Sequence, residues 1–149
     1  MALQTVLLAV GRGDKDRVDA LAETVTDIAG PAGATVVLAH VFGDDEYADV
    51  REKLDIAPTA EVTADDVAER YSTVREIRST LDEAGLDVVV RGGVGDYGER
   101  VVELAEEESA DLVVVGGRSR SPTGKAVFGS TAQSVMLSAP CPVTLVRGE

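Results

Sequence analysis

A stretch rich in glycine, hydroxyl and cationic side chains, GGRSRSPTGKAVFGST, occupies positions 116–131 and follows an apolar run at 112–115. Arg118, Arg120 and Lys125 lie in it with no acid between them, although the chain has 27 acidic and only 14 basic residues. Glycine lets a backbone approach a ligand closely, and the free N–H groups at a helix N-terminus attract anions. The pattern therefore predicts a phosphate cradle, and a solvated loop is the alternative.

Two better-defined phosphate motifs fit the sequence less well. A P-loop would need glycine where Ser119 stands and a hydroxyl residue where Ala126 follows Lys125. The segment GVGDYG at 93–98 satisfies the dinucleotide pattern G-x-G-x-x-G, and Arg118 or Arg120 could then hold a 2′-phosphate. However, it follows the third predicted strand, and the chain has 15 glycines, which make chance matches easy. A tight strand-to-helix turn is the favoured interpretation.

The sequence contains no recognisable catalytic or metal-binding set. His40 ends a predicted strand and is interpreted as a packing residue, and Cys141, which lies between two prolines, is interpreted as structural. No nucleophile can be matched with a base, and clustered His and Cys ligands for a metal are absent. We therefore expect a binding protein and not an enzyme.

Five short apolar runs alternate with segments of helical periodicity. The runs predict strands at 5–10, 34–42, 86–92, 110–117 and 141–147. The first predicted helix runs from an N-cap at Asp14 to Gly30-Pro31, and the second runs from a capping box of Thr63 and Asp66 to Gly85. The third begins at a similar box of Asp96 and Glu99, and the last runs from about 130 to 138. This order predicts an α/β fold, with an open parallel sheet covered by helices on both faces. Ligands of such sheets bind beyond the carboxyl ends of the strands, where we expect Gly116 to turn the chain sharply.

Composition narrows the class of protein further. The 149 residues, 44% of them hydrophobic, are expected to form a single domain over 1–149, with an acidic, irregular surface segment at 43–62 that holds at most a helical turn near 50–54. A net charge of −13 argues against nucleic acid, and no segment is long and apolar enough to cross a membrane. With one cysteine and no recognisable signal peptide, we expect a cytoplasmic protein. The 3 lysines against 14 aspartates resemble the composition of proteins from salt-loving cells.

The chain resembles the universal stress protein family. That family carries Gly-x-x-Gly, nine residues and then Gly-Ser/Thr after its fourth strand, and here Gly116, Ser119, Gly129 and Ser130 take those positions. The ending SAPCPVTLVR and the GDY at 95–97, where the family often has Gly-Asp-Pro, agree with this, and only 43–62 lies outside the resemblance. The resemblance implies the Rossmann-like strand order 3-2-1-4-5.

The resemblance also implies a stress-response module that binds ATP or another adenine nucleotide, with Mg²⁺ or Mn²⁺ accompanying it and at most slow, incidental hydrolysis. The positions that it implies near the phosphates are Gly116, Arg118, Ser119, Gly129, Ser130 and Thr131. The positions that it implies near the nucleoside are Val10, Gly11 and Val41. Ser119 replaces a family glycine, and Gly11 stands where binding members usually have aspartate; Arg12 and Asp14 are its neighbours and not replacements at that position. A structural or interaction protein of the same fold that binds no nucleotide is the alternative.

The last predicted strand, at 141–147, is apolar and would be an edge strand in the family order. An unpaired apolar edge favours pairing with a second copy. The sequence therefore predicts a homodimer joined through this strand.

The acidic composition predicts that stability depends on salt. Lowering KCl from molar concentration to about 0.1 M, where the Debye length is still ~10 Å, is expected to lower the melting temperature, because repulsion between carboxylates is less screened. Melting followed by circular dichroism across this range checks the prediction. An unchanged melting temperature would remove the halophilic interpretation.

Overall fold

The computed structural model describes residues 3–117 and 130–147, without the side chains of 130 and 131. The strands are β1 (Thr5–Val10), β2 (Thr35–Phe42), β3 (Asp87–Val94), β4 (Leu112–Gly117) and β5 (Val143–Arg147). A 3-10 helix (Arg12–Arg17) precedes α1 (Val18–Ala32), and the other helices are α2 (Asp44–Lys53), α3 (Ala64–Arg70), α4 (Ser72–Glu83), α5 (Tyr97–Glu107) and α6 (Ser130–Ser138). Strands and helices thus alternate as the sequence predicts.

The strands form a parallel five-stranded sheet in the order β3-β2-β1-β4-β5, which confirms the predicted fold class. One core cluster joins the sheet to α1, α3 and α4, and a second joins its other face to α5 and α6. Along β1 the side chains alternate between the two, with Leu8 in the first cluster and Leu7 and Ala9 in the second. Burial on both faces explains why this strand is continuously apolar.

The first helix differs from its predicted bounds. Asp14 lies inside the 3-10 helix and is not the N-cap of α1, and Pro31 lies within the last turn of α1 instead of ending it. Pro31 has no N–H to donate within the helix, and only Ala32 of α1 follows it. The chain leaves α1 at Gly33, whose φ of 66° suits glycine.

The segment 43–62 contains more structure than the sequence predicted. A ten-residue helix, α2, replaces the single turn expected near 50–54. Only Val50 of α2 is buried, so no apolar periodicity marks it. Three acids in its first turn and Arg51 and Lys53 in its last turn suit the helix dipole instead.

The next predicted helix is two helices. Thr63 and Asp66 form the predicted capping box, with both backbone N–H groups bonded to the reciprocal side chain. The chain then breaks at Tyr71, whose backbone is extended and whose ring packs 4.6 Å from that of His40. The apolar periodicity of the sequence predicted one continuous helix here, and an aromatic contact with the core interrupts it.

The N-terminus of α3 lies against the outer edge of β3. The Gly92 N–H donates to Asp65 Oδ1 at 2.7 Å, and a Cβ at Gly92 would lie 2.0 Å from the carbonyl oxygen of Ala64. This contact occupies part of one sheet edge and requires glycine at position 92.

In the part of the chain that the structure describes, no helix is long and apolar enough to span a membrane.

Replacing Gly92 with alanine is expected to lower the free energy of unfolding by about 1–3 kcal/mol or more, because its methyl group would overlap backbone that cannot easily move. Gly30→Ala is the matched control. Gly30 lies within α1, and its Cβ would meet only Leu86 Cδ2 at 3.9 Å. We expect it to be neutral or to stabilise by about 0.5–1 kcal/mol. Urea unfolding of both variants checks this, and equal effects would contradict the close contact at Gly92.

Candidate functional site

An open cleft of about 740 Å³ lies beyond the carboxyl ends of the strands. Gly11 after β1, Val41 in β2, Gly95 after β3 and Gly116 at the end of β4 all line it. It lies where β1 is flanked by β2 on one side and β4 on the other, so the chain order reverses across it. Such switch points are the usual ligand sites of open parallel sheets, and the volume is within the range of small-molecule sites.

The carboxylate of Asp14 lies at the end of β1. The side chain is almost fully buried, accepts the Gly11 N–H at 2.7 Å and pairs with Arg17 Nη1 at 2.5 Å. The sequence interpretation treated Asp14 as a neighbour of position 11 and not a replacement, and the structure places its carboxylate within hydrogen-bonding distance of the Gly11 backbone. The 3-10 helix turns the chain back, so the strand end that lacks a side chain at position 11 still has a carboxylate beside it.

Gly116 makes room for this ion pair. A Cβ there would lie 2.2 Å from Asp14 Oδ1 and 2.8 Å from Arg17 Cδ. Gly116 is paired with Val146 within the sheet, so the sharp turn predicted at this residue is not there. The glycine allows two side chains, and not only a ligand, to approach the end of β4. Sequence reasoning missed Arg17, since nothing in its spacing connects it with position 116.

Tyr97 stands in a similar relation to Gly11. Its Cε2 lies 3.1 Å from the place that a Cβ would take at Gly11, and its hydroxyl donates to the Ala9 carbonyl at 3.0 Å. Burial raises the pKa of Tyr97 far above its usual value, and the nearby charge of Asp14 adds to this. The ring is therefore a neutral, anchored wall of the cleft, and a side chain at position 11 would require it to shift by a few tenths of an ångström.

The lining that the structure describes is acidic. Asp14, Asp44, Asp45, Glu46 and Asp96 face only two cations, Arg12 and Arg17. Burial opposes ionisation of Glu46, but contacts with His40 Nε2 at 3.5 Å and with the Gly43 N–H at 3.2 Å outweigh it and keep its pKa below the usual value. The described lining thus carries an excess of negative charge.

Neither His40 nor Cys141 lines the described cleft, although His40 contacts Glu46, which does. His40 is fully buried, 4.3 Å from the Phe42 ring, as its interpretation as a packing residue predicted. Burial, and then the charge of Asp111, raise the pKa of the Cys141 thiol, so it is less reactive than a free cysteine. Within residues 3–117 and 132–147, no group of three or more His, Cys, Asp or Glu side chains is placed to hold a metal ion.

The predicted site residues fall into three groups. Gly11, Val41 and Gly116 line the cleft together, whereas Val10 is buried behind it. Ser130 and Thr131 begin α6, and Ala132 in the same turn lines the cleft. The predictions for Arg118, Ser119 and Gly129 lie outside the described residues.

The segment GVGDYG forms the tight turn that was favoured for it. Gly95 has a φ of 128° between β3 and α5. A Cβ at Gly98 would lie 3.0 Å from Ser134 Oγ, so this glycine lets α5 and α6 pack closely. Packing between helices therefore accounts for the third glycine of the motif.

The geometry at Gly116 predicts that Gly116→Ala lowers the free energy of unfolding by about 1–3 kcal/mol, because its methyl group would displace the Asp14–Arg17 pair. Of the three atoms nearest to that methyl group, an Asp14→Ala background removes the two carboxylate atoms and leaves one atom of the flexible Arg17 stem. The same substitution should then cost at least about 1 kcal/mol less. A double-mutant cycle by urea unfolding measures this, and additive effects would show that the carboxylate does not constrain position 116.

Comparison with known sequences places this fold and cleft in a family. Residues 2–147 match the model of the universal stress protein family. A universal stress protein of Mycolicibacterium smegmatis is 34% identical over 52% of this chain, and one of Thermus aquaticus is 43% identical over 36% of it. The matched segments span 61% and 39% of those relatives.

Solved structures agree over nearly the whole chain. A universal stress protein in complex with cAMP superposes with a TM-score of 0.70 at 25% identity, with 100% of both chains covered. The universal stress protein of Archaeoglobus fulgidus in complex with dAMP superposes with a TM-score of 0.60 at 20% identity. The superposition covers 98% of this chain and 99% of the Archaeoglobus chain, and at this identity it shows the fold alone. With its parallel sheet, its cleft at the strand ends and the match over residues 2–147, the chain belongs to the universal stress protein family.

Proposed function

We propose that the cleft binds an adenine nucleotide, with ATP as the first candidate, and that the protein works as a nucleotide-responsive stress module. The observation that carries this is the convergence of Gly11, Val41, Gly116 and the first turn of α6 on one cleft at the switch point of the sheet. The complex of a related protein with cAMP supports the class of ligand.

The phosphates would lie toward α6 and the glycine-rich stretch before it. The first N–H groups of this nine-residue helix have no partner within the helix, and its dipole favours an anion there. Because the described lining is acidic, a triphosphate requires added positive charge. Mg²⁺ or Mn²⁺ bound to the nucleotide would supply it, together with Arg118, Arg120 and Lys125 of the stretch 116–131.

The nucleoside would lie toward β1 and β2, beside Val41. The Asp14 carboxylate already accepts two hydrogen bonds, but its oxygens have further lone pairs, which suit the hydroxyl groups of a ribose. This carboxylate offsets part of what Gly11 lacks. Serine at 119 still costs affinity if that position needs φ > 0, so we expect dissociation constants between micromolar and millimolar.

A protein of the same fold that binds partners and no nucleotide is the second candidate. The acidic lining and the serine at position 119 favour it. Under either candidate the protein is not an enzyme with turnover as its role, and we place it in the cytoplasm as a single domain.

We further propose a homodimer through β5. The N-terminus of α3 meets the β3 edge at Gly92, whereas β5 lies at the other end of the sheet and, among residues 3–117 and 130–147, pairs with β4 alone. Its residues Val143 and Leu145 are partly exposed. Pairing of two such edges would extend the hydrogen-bonded sheet across both copies.

Titration calorimetry in molar KCl with Mg²⁺ tests the nucleotide proposal. Wild-type protein is expected to bind ATP more tightly than AMP, and Gly129→Val is expected to abolish binding by placing a branched side chain where phosphate must approach. Gly30→Val, at an exposed position of α1, is the matched control and should keep ATP affinity. No heat with ATP, or a Gly129→Val variant that binds normally, would favour the candidate without nucleotide.

Light scattering in molar KCl tests the dimer. The expected mass at micromolar concentration is twice that of the 15.5 kDa chain, because the β5 edges satisfy each other. A mass of 15.5 kDa would contradict the proposal.

A further inference from the structure

Tyr97 is the one aromatic side chain in the described lining of the cleft. It is the first residue of α5, it is partly buried, and it packs on the core cluster that also contains Val41. The ion pair of Asp14 and Arg17 lies by the other face of the sheet, next to Gly116 and the α1 side of the core. Tyr97 and Val41 therefore form one side of the described cleft, the apolar side, although Asp96 adjoins Tyr97 and the charge of Asp14 acts on it.

The Tyr97 ring is held by contacts at both ends. Its hydroxyl is bonded to the Ala9 carbonyl, and its edge lies against Gly11, which has no side chain to compete for the space. A phenol is neutral at neutral pH and burial raises the pKa of Tyr97 further, so the ring does not add to the negative charge of the lining. A fixed neutral ring is suited to contact with another planar group, because little conformational freedom is lost when a ligand packs on it.

We propose that Tyr97 recognises the nucleobase, which lies on the apolar side of the cleft between the Tyr97 ring and Val41. This inference rests on the proposed nucleotide binding and adds the residue that determines which part of the ligand enters that side. Contact between a base and an aromatic ring depends on the π-face, which every base has. The site is therefore expected to favour purines over pyrimidines through contact area, with little discrimination between adenine and guanine.

Two probes separate base contact from phosphate contact: ATP and inorganic tripolyphosphate, each with Mg²⁺ and measured by calorimetry. Tyr97→Leu is expected to weaken ATP about tenfold, in line with the loss of one base–aromatic contact. It should leave tripolyphosphate within about twofold of wild type, since the phosphates lie elsewhere. Tyr97→Phe, the matched control, keeps the ring and should hold ATP within about threefold.

The outcomes distinguish failure of this inference from failure of the proposed nucleotide binding. If wild-type protein binds no ATP, the proposed function fails and this inference fails with it. If wild type binds ATP and Tyr97→Leu binds it equally well, or loses tripolyphosphate to the same degree, only the role of Tyr97 is overturned.

A measurement on the wild-type chain covers the case in which Tyr97→Leu does not fold. Nuclear Overhauser effects between the Tyr97 ring protons and adenine H2 or H8 are expected in a sample saturated with ATP. Their absence from a saturated sample in which the Tyr97 resonances are assigned would overturn the proposal.

Discussion

Burial of β1 on both faces is the constraint on which the rest of the molecule depends. Val6 to Val10 are inaccessible to solvent, and their side chains alternate between the two core clusters. A strand in that position has neighbours on both sides, and here the chain continues from β1 to β2 and β3 on one side of it and then crosses to β4 and β5 on the other. The cleft at its carboxyl end follows from this order, because the connections after β1 and β4 leave the sheet toward opposite faces.

Two glycines at that cleft are explained by side chains from distant parts of the chain. Gly11 makes room for the Tyr97 ring, and Gly116 makes room for Asp14 and Arg17. At Gly11, just after β1, and at Gly116, in β4, the missing side chain leaves space that a side chain from a helix occupies. Consequently the carboxylate and the aromatic ring at the end of β1 both come from outside the strand, and a comparison of position 11 alone underestimates what the site contains.

Much of the fold could be predicted because its signals are local. Buried parallel strands are continuous apolar runs, and capping residues such as Thr63 and Asp66 mark a helix start within three residues. The helix α2 was missed because it buries only Val50, and the break at Tyr71 was missed because it depends on contacts with His40 and Phe42. In the site, Gly11, Val41 and Gly116 were predicted from the family motif, whereas Arg17 and Tyr97 depend on contacts across the fold that no spacing reveals.

Amide chemical shifts during titration of ¹⁵N-labelled protein with ATP and Mg²⁺ test the central claim most directly, namely that the cleft at the carboxyl ends of the strands is the ligand site. The claim predicts saturable shifts at Gly11, Val41, Gly95 and Gly116, with the exposed amides of α4 and the N-terminal ends of the strands unchanged. Saturable shifts confined to residues away from the cleft, or none at millimolar ATP, would contradict it.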